Sequence, residues 1–139
     1  MANHSPTTYK YIVVQKDRPF SAARGLALLI SGLSIYGMVI PIAFLDLCLY
    51  FYQEIYFTLN GIPKIPRSRY VVIQRHRLGK LTLRQKIGCA YCEYGNGVFA
   101  WAKAVGNQTE IYSCAIKYSH DYPGQEYQKQ FYDSEVFKK

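Results

Sequence analysis

The sequence predicts a mainly α-helical membrane protein, in which one long, kinked transmembrane helix precedes a small helical, basic, cysteine-containing module. Residues 25–45 form a stretch of 21 residues without a charge, and about 20 apolar residues are needed to span the hydrocarbon core. Half of the chain is apolar and 16% is aromatic, which is typical of an ordered chain. The formal net charge is +8, and most basic residues follow the apolar stretch.

The length of 139 residues allows one small domain beside a membrane anchor. We divide the chain into four parts: an extended N-terminal segment (1–20), the transmembrane helix with an interfacial extension (21–59), the basic cysteine-containing helical module (60–118), and a polar, tyrosine-rich tail (119–139).

The transmembrane helix is predicted to continue past its uncharged part toward Leu59, where Gly61 and nearby prolines end it. Pro41 should kink it, because proline lacks a backbone donor and clashes with the preceding turn. Asp46 follows the uncharged stretch, and a carboxylate near hydrocarbon is costly unless it is paired, hydrated or close to the interface. We expect Asp46 to lie at the interface.

One face of this helix carries small residues, and small residues let a second helix approach closely. The predicted partner-helix face consists of Gly25, Gly32 and Gly37. The spacing is not a strict GxxxG, so a lone lipid-facing anchor is the alternative. With the many tyrosines, this face favours a role beside other membrane protein subunits.

The residues after the helix are strongly basic and favour anionic lipid headgroups, rather than nucleic acid, as partners. The predicted lipid-binding residues are Lys64, Arg67, Arg69, Arg75, Arg77 and Lys80. A solvated basic face is the alternative. The positive charge excess after the helix favours a cytoplasmic C-terminal module.

A second helix is predicted to start at Thr82, and an interrupted apolar pattern then continues to Tyr118. Glycines usually weaken a helix, so we expect two helices with a bend or break at 95–97 or at 106–107. The tail from Ser119 has no periodicity, and we expect it to be extended or partly disordered unless a partner orders it.

Three cysteines outside the apolar stretch predict a metal site. Cys89 and Cys92 form a CxxC pair, and three residues of spacing place both on one helix face. If the chain turns back, Cys114 reaches them, and a tetrahedral zinc site needs a fourth ligand, for which we choose His120. His76 and Glu110 are the alternative fourth ligands. Iron, a dithiol–disulfide couple, and small buried thiols without chemistry are competing interpretations.

The pieces Gly61-Ile62-Pro63, Cys89-Ala-Tyr-Cys-Glu-Tyr-Gly-Asn-Gly97 and Thr109-Glu-Ile-Tyr-Ser-Cys-Ala-Ile-Lys117, with the basic segment Tyr70–His76, resemble a family of small uncharacterised proteobacterial inner-membrane proteins. In that family the motifs are C-x-YC-x-Y-x-NG and TE-x-Y-x-C-x-IK. The resemblance implies a bacterial inner membrane and a meaningful cysteine set, but it implies no activity. This chain departs from the family at Gln74, at Ala115 and in the position of the histidine near Lys117.

These observations together favour a single-pass accessory or structural subunit of a larger membrane protein complex. The alternative is a membrane-tethered zinc, iron or thiol redox module built on the cysteines. An enzyme is disfavoured, because no carboxylate among Asp46, Glu54 and Glu110 has a convincing catalytic partner in the sequence.

Overall fold

The computed structural model describes residues 21–79, 81–120 and 123–138. The predicted N-terminal segment 1–20 therefore lies outside the described residues, and so does Lys80. The described chain is mainly helical and forms no β-strand, which confirms the predicted helical class. It divides into two compact units at the boundary between Gly37 and Met38.

The described part of the first unit contains the helix α1, Ala22–Gly37. Its large aliphatic side chains face outward, and Leu26, Leu29 and Leu33 are 60%, 61% and 68% exposed. An added Cβ at Gly32 or Gly37 would meet nothing within 4 Å. At Gly32 and Gly37 the predicted partner-helix face therefore has space for a closely approaching helix.

The second unit begins with α2, Val39–Tyr52, which continues through a π-helical turn, Gln53–Phe57, into the short α3, Thr58–Asn60. We call these three elements together the helical run. One helix, Gly25–Asn60, is long and apolar enough to cross a membrane. Regular α-helix is interrupted between Gly37 and Val39, where Pro41 lacks the N–H that would bond the Gly37 carbonyl. The kink itself stays a prediction.

Gly61 ends the helical run as predicted, with a left-handed φ of +64° that glycine adopts without steric cost. The chain then runs as a connector, residues 62–81, whose described part contains two single-turn 3₁₀ helices, Arg67–Arg69 and Arg75–Arg77. The expectation of a helical module from residue 60 is therefore wrong for this part. Pro63 and Pro66 favour the extended backbone found there.

Helix α4, Leu83–Ser113, starts where the sequence predicts, with Thr82 and Gln85 forming a capping box. The predicted break is wrong, because α4 continues without interruption for 31 residues. Gly95 and Gly97 are both buried. These glycines are sites of close packing against neighbouring chain, which glycine permits, and they do not interrupt the helix.

Helices α2 and α4 run parallel. The connector leads from the C-terminal end of the helical run back to the N-terminal end of α4. Gly95 faces Ile42, whereas further along both helices the Tyr56 hydroxyl lies 3.0 Å from the Ser113 hydroxyl. The core of this unit consists of Phe57, Ile62, Trp101 and Val105. It therefore joins the helical run, the connector and α4, and it lies beyond Asp46 along the chain.

The described part of the tail packs against this unit, unlike the extended or disordered tail that the sequence predicts. A parallel bridge joins Ile116 to Tyr132, with one 3₁₀ turn, Glu126–Gln130, before Tyr132 and another, Ser134–Phe137, after it. Phe131 is 7% exposed. Burial of such aromatic side chains stabilises the packed tail, although the tail sequence is polar and has no periodicity that would predict this packing.

Candidate functional site

A three-residue junction holds the carboxylate that follows the uncharged stretch. Arg67 approaches Asp46 with two parallel hydrogen bonds, 2.8 Å from Nε to Oδ1 and 2.6 Å from Nη2 to Oδ2. The Tyr94 hydroxyl donates to the same Oδ2 at 3.0 Å. The Asp46 side chain is only 14% exposed. The Asp46 carboxylate is therefore paired with a cation, and the two parallel hydrogen bonds give the bidentate geometry that makes such ion pairs strong.

The protonation states of this junction suit an anchor better than a proton carrier. Burial raises the pKa of Tyr94, and its hydrogen bond to Asp46 raises it further. The hydrogen bond to Asp46 is likewise the main cause that raises the pKa of Arg67. Both donors therefore keep their protons at neutral pH, and neither is poised for acid–base chemistry.

A second anchor lies at Ile65, where the connector contacts the buried Gln53 side chain. The amide of Gln53, 5% exposed, accepts from the Ile65 N–H at 2.7 Å and donates to its carbonyl at 3.3 Å. The indole of Trp101 donates to the same carbonyl at 3.0 Å. The side chains of Gln53 and Trp101 thus satisfy the backbone N–H and carbonyl of Ile65 and tie the connector to both helices.

A third anchor orients the arginine-rich turn. Glu93 of α4 accepts from the backbone N–H of Gln74 at 3.1 Å and from that of Arg75 at 3.2 Å. Its carboxylate also lies 3.4 Å from the Arg75 Nε. A carboxylate at the N-terminal donors of a helical turn is favourable, so Glu93 holds the turn Arg75–Arg77 against α4.

The structure divides the predicted lipid-binding residues into two groups. Lys64 pairs with Glu54 at 2.6 Å, and Arg67 and Arg75 take part in the anchors described above. Arg69 and Arg77 are exposed and form no ion pair with any described residue. The prediction for Lys80 lies outside the described residues.

The structure does not bring the predicted metal ligands together. Cys89 is half-buried and Cys92 exposed on one face of α4, whereas Cys114 follows the end of the same helix. A separation of 22 residues along one helix is about 33 Å. His120 lies beyond Cys114, and the described chain contains no group of three or more His, Cys, Asp or Glu that could hold a metal. The turn-back on which the four-ligand site depended is absent.

Glu110, considered as an alternative ligand, has another role. It accepts hydrogen bonds from the Tyr127 hydroxyl and, at 2.9 Å, from the Gln128 amide. Burial and then the bond to Glu110 raise the pKa of Tyr127 to about 12. Next to this contact a groove of about 910 Å³ lies between α2, α4 and the tail, with Leu49 and Val105 among its lining residues.

Sequence reasoning missed the side chains that position the connector, above all Gln53, Glu93 and Trp101. Their partners lie far away in sequence, and Gln53 in particular resembles any polar residue at a helix end. Asp46 was the one signal available, since its cost near an apolar stretch demands a partner.

Comparisons of the chain with protein families, with curated proteins and with solved structures found no match.

Proposed function

We propose that this protein is a membrane-anchored accessory subunit of a larger membrane protein complex. The observation that carries the proposal is an apolar stripe on the outer face of the helical run, which continues beyond Asp46. The exposed fractions of Phe44, Leu47, Phe51, Ile55 and Leu59 are 68%, 53%, 54%, 60% and 80%. We call these five residues the outer stripe.

The outer stripe extends too far to be explained by a minimal membrane span. The helix Gly25–Asn60 has 36 residues, whereas about 20 apolar residues are enough to span the hydrocarbon core. From Asp46 to Leu59 the helix rises by about 20 Å. A contiguous exposed apolar surface of this kind marks an interaction site.

The inner face of the same helical segment is occupied by its own chain. Tyr52 donates to or accepts from Thr109 at 2.9 Å, Gln53 holds Ile65, and Phe57 is fully buried. The inner face therefore packs within this chain, and the outer stripe remains exposed for a partner. We infer that the partner presents an apolar helix, since a helix packs well against such a stripe.

The location follows the same line of inference. The resemblance of residues 61–117 to small inner-membrane proteins supports a bacterial inner membrane. The excess of basic residues after the helix supports a cytoplasmic C-terminal module. The small-residue face of α1, where an added Cβ at Gly32 or Gly37 would meet nothing within 4 Å, supports a second helix–helix contact within the membrane.

Site-specific photocrosslinking in native membranes tests the subunit proposal. A benzophenone amino acid replaces Phe51 or Leu59 in the outer stripe, and Val136, which is 73% exposed in the tail, serves as the control position. We expect both stripe positions to capture the same protein, which also co-purifies in constant proportion in mild detergent. Migration of the 16.0 kDa chain as a free monomer, with lipid adducts alone at both positions, would contradict the proposal.

A second candidate function rests on the accessible thiol pair. Cys89 and Cys92 lie one turn apart on one face of α4, and neither is buried. This pair supplies two ligands of a tetrahedral zinc or iron site, and the described residues place no third Cys, His, Asp or Glu ligand beside it, so we propose that a partner chain supplies the rest. The test is metal analysis of the full-length protein: C89S/C92S should lose the metal, whereas C48S, which removes the exposed thiol of α2, should keep it. Metal-free protein isolated with its partners would refute this role.

A further inference from the structure

The connector carries an uncompensated positive charge. Between Ile55 and Cys92, a range that contains the connector and the first turns of α4, the sequence has eight basic residues and no acidic one. Acidic residues outside this range neutralise three of the eight through the pairs Lys64–Glu54, Arg67–Asp46 and Arg75–Glu93. We call residues 69–78 the basic turn. Its two remaining arginines, Arg69 and Arg77, are exposed and have no ion pair within the described chain.

The anchors place the basic turn beside the apolar helix. The connector runs back from Ile65 to Arg67, which meets Asp46. It then continues to Arg75, which meets Glu93, two residues before Gly95 in α4. Gly95 faces Ile42, and two residues of helix rise by about 3 Å. The basic turn therefore extends past Asp46, to the level at which α2 is wholly apolar.

The basic turn also exposes aliphatic side chains between its arginines. Val72, Ile73 and Leu78 are 42%, 40% and 54% exposed. Arginines that alternate with exposed aliphatic residues are typical of segments that lie in a membrane interface, where the apolar groups enter the acyl boundary and the guanidinium groups reach phosphates. A surface for single-stranded nucleic acid would instead call for aromatic stacking platforms, whereas Tyr70, the tyrosine of the basic turn, packs against the core.

From these observations we infer that the basic turn is a binding surface for anionic phospholipids, in which Arg69 and Arg77 bind the headgroup phosphates. Lys64, Arg67 and Arg75 serve the fold, because their charge is already neutralised. The inference rests on the membrane anchoring in the proposed function and goes beyond it. The Asp46–Arg67 pair and Glu93 then act as supports that hold the turn at headgroup level.

Lipid titration of the full-length protein in detergent, followed by native mass spectrometry, tests the arginines. Each basic residue at an anionic surface contributes about fivefold in affinity, so R69Q/R77Q should bind phosphatidylglycerol about 25-fold more weakly. Binding of phosphatidylcholine with the same acyl chains should not change. The control K129Q/K138Q removes the same formal charge from exposed positions in the tail and should bind phosphatidylglycerol like the wild type.

Three results would overturn the inference. Wild-type affinity in R69Q/R77Q would remove the arginines from the site, and equal weakening in the control would reduce the effect to net charge. Competition by inorganic phosphate or by an RNA oligomer as strong as that by the lipid would assign the surface to a different ligand.

Tryptophan quenching in nanodiscs measures depth and separates this inference from membrane anchoring. The native Trp101 is 1% exposed and gives a low background. In L78W we expect quenching by lipids brominated near the headgroup, and in V136W we expect none. L33W reports on the apolar helix through lipids brominated deep in the chain. Quenching in L33W without quenching in L78W overturns the inference alone, whereas no quenching in either overturns the anchoring as well.

Discussion

At Gly97 the connector backbone approaches α4 closely, and the replacement of this glycine by alanine tests the packing of the connector on α4. A Cβ built on Gly97 lies 2.7 Å from the Tyr70 carbonyl oxygen and 2.8 Å from the Val71 Cα. Ordinary carbon–carbon contacts are about 3.5 Å or longer, so the connector backbone must move by about 0.7 Å. The nearest atoms belong to the backbone, which cannot avoid the clash by a rotamer change.

The magnitude follows from two opposed effects. Overpacking of this kind costs about 1–3 kcal/mol, whereas Gly→Ala within a helix gains up to about 1 kcal/mol. The matched control is G106A in the same helix, where an added Cβ meets nothing within 4 Å and only the gain applies. We therefore expect G97A to be about 2 kcal/mol less stable than G106A. For an unfolding entropy of about 2.1 cal/mol/K per residue, the difference corresponds to about 7–9 °C in melting temperature.

The assay is thermal unfolding in mild detergent, followed by the emission of Trp101, the only tryptophan of the chain. Trp101 is buried and donates to Ile65, so its emission reports the contact between connector and α4. An intermediate variant, G95A, adds a Cβ 3.5 Å from the Ile42 Cδ1, which is ordinary contact, and should melt close to G106A. If G97A melts at or above G106A, the close packing of connector on α4 is refuted.

Two further predictions use the same melting assay. D46N should destabilise the protein by about 2 kcal/mol, because it removes the charge-assisted hydrogen bonds to Arg67. The control E54Q should cost less than about 1 kcal/mol, because the ion pair of Glu54 is exposed. Equal losses of stability in the two variants would contradict the anchoring role of Asp46. The pKa of Tyr127 is raised from its ordinary 10.0 to about 12, so the stabilisation from its bond to Glu110 is complete below pH 10 and is lost as the pH rises through about 12. The difference in melting temperature between wild type and Y127F should shrink over that range, and a constant difference would show that the phenol–carboxylate contact is not linked to the proton.

Much of the helical architecture could be predicted from local sequence. The long apolar helix, its end at Gly61 and the start of α4 after Thr82 all depend on neighbouring residues, namely an uncharged run, a left-handed glycine and a capping box. The failures concerned residues whose effect depends on distant neighbours. Gly95 and Gly97 were interpreted as breaks, because a glycine that permits close packing and one that ends a helix look alike in sequence.

The sequence predicted which residue types belong to the candidate site, but it did not predict the role of each residue. Six basic residues were grouped as lipid ligands, yet three of them pair with carboxylates 10, 21 and 18 positions away. The cysteine site depended on a turn in the chain, and the unbroken α4 separates Cys92 from Cys114 by about 33 Å. Only the geometry distinguishes a charge that serves the fold from one that remains for a ligand.

The sequence by itself determined that the chain is mainly helical, that one of its helices is long and apolar enough to cross a membrane, and that positive charge follows that helix. These properties are sums over local residues, and no distant contact alters them. Only the tertiary structure decided that the connector returns along α2, that Arg67 neutralises Asp46, and that Arg69 and Arg77 stay unpaired in the described chain. The physical reason is that hydrogen bonds and ion pairs depend on separations of a few ångströms between residues that are far apart in sequence.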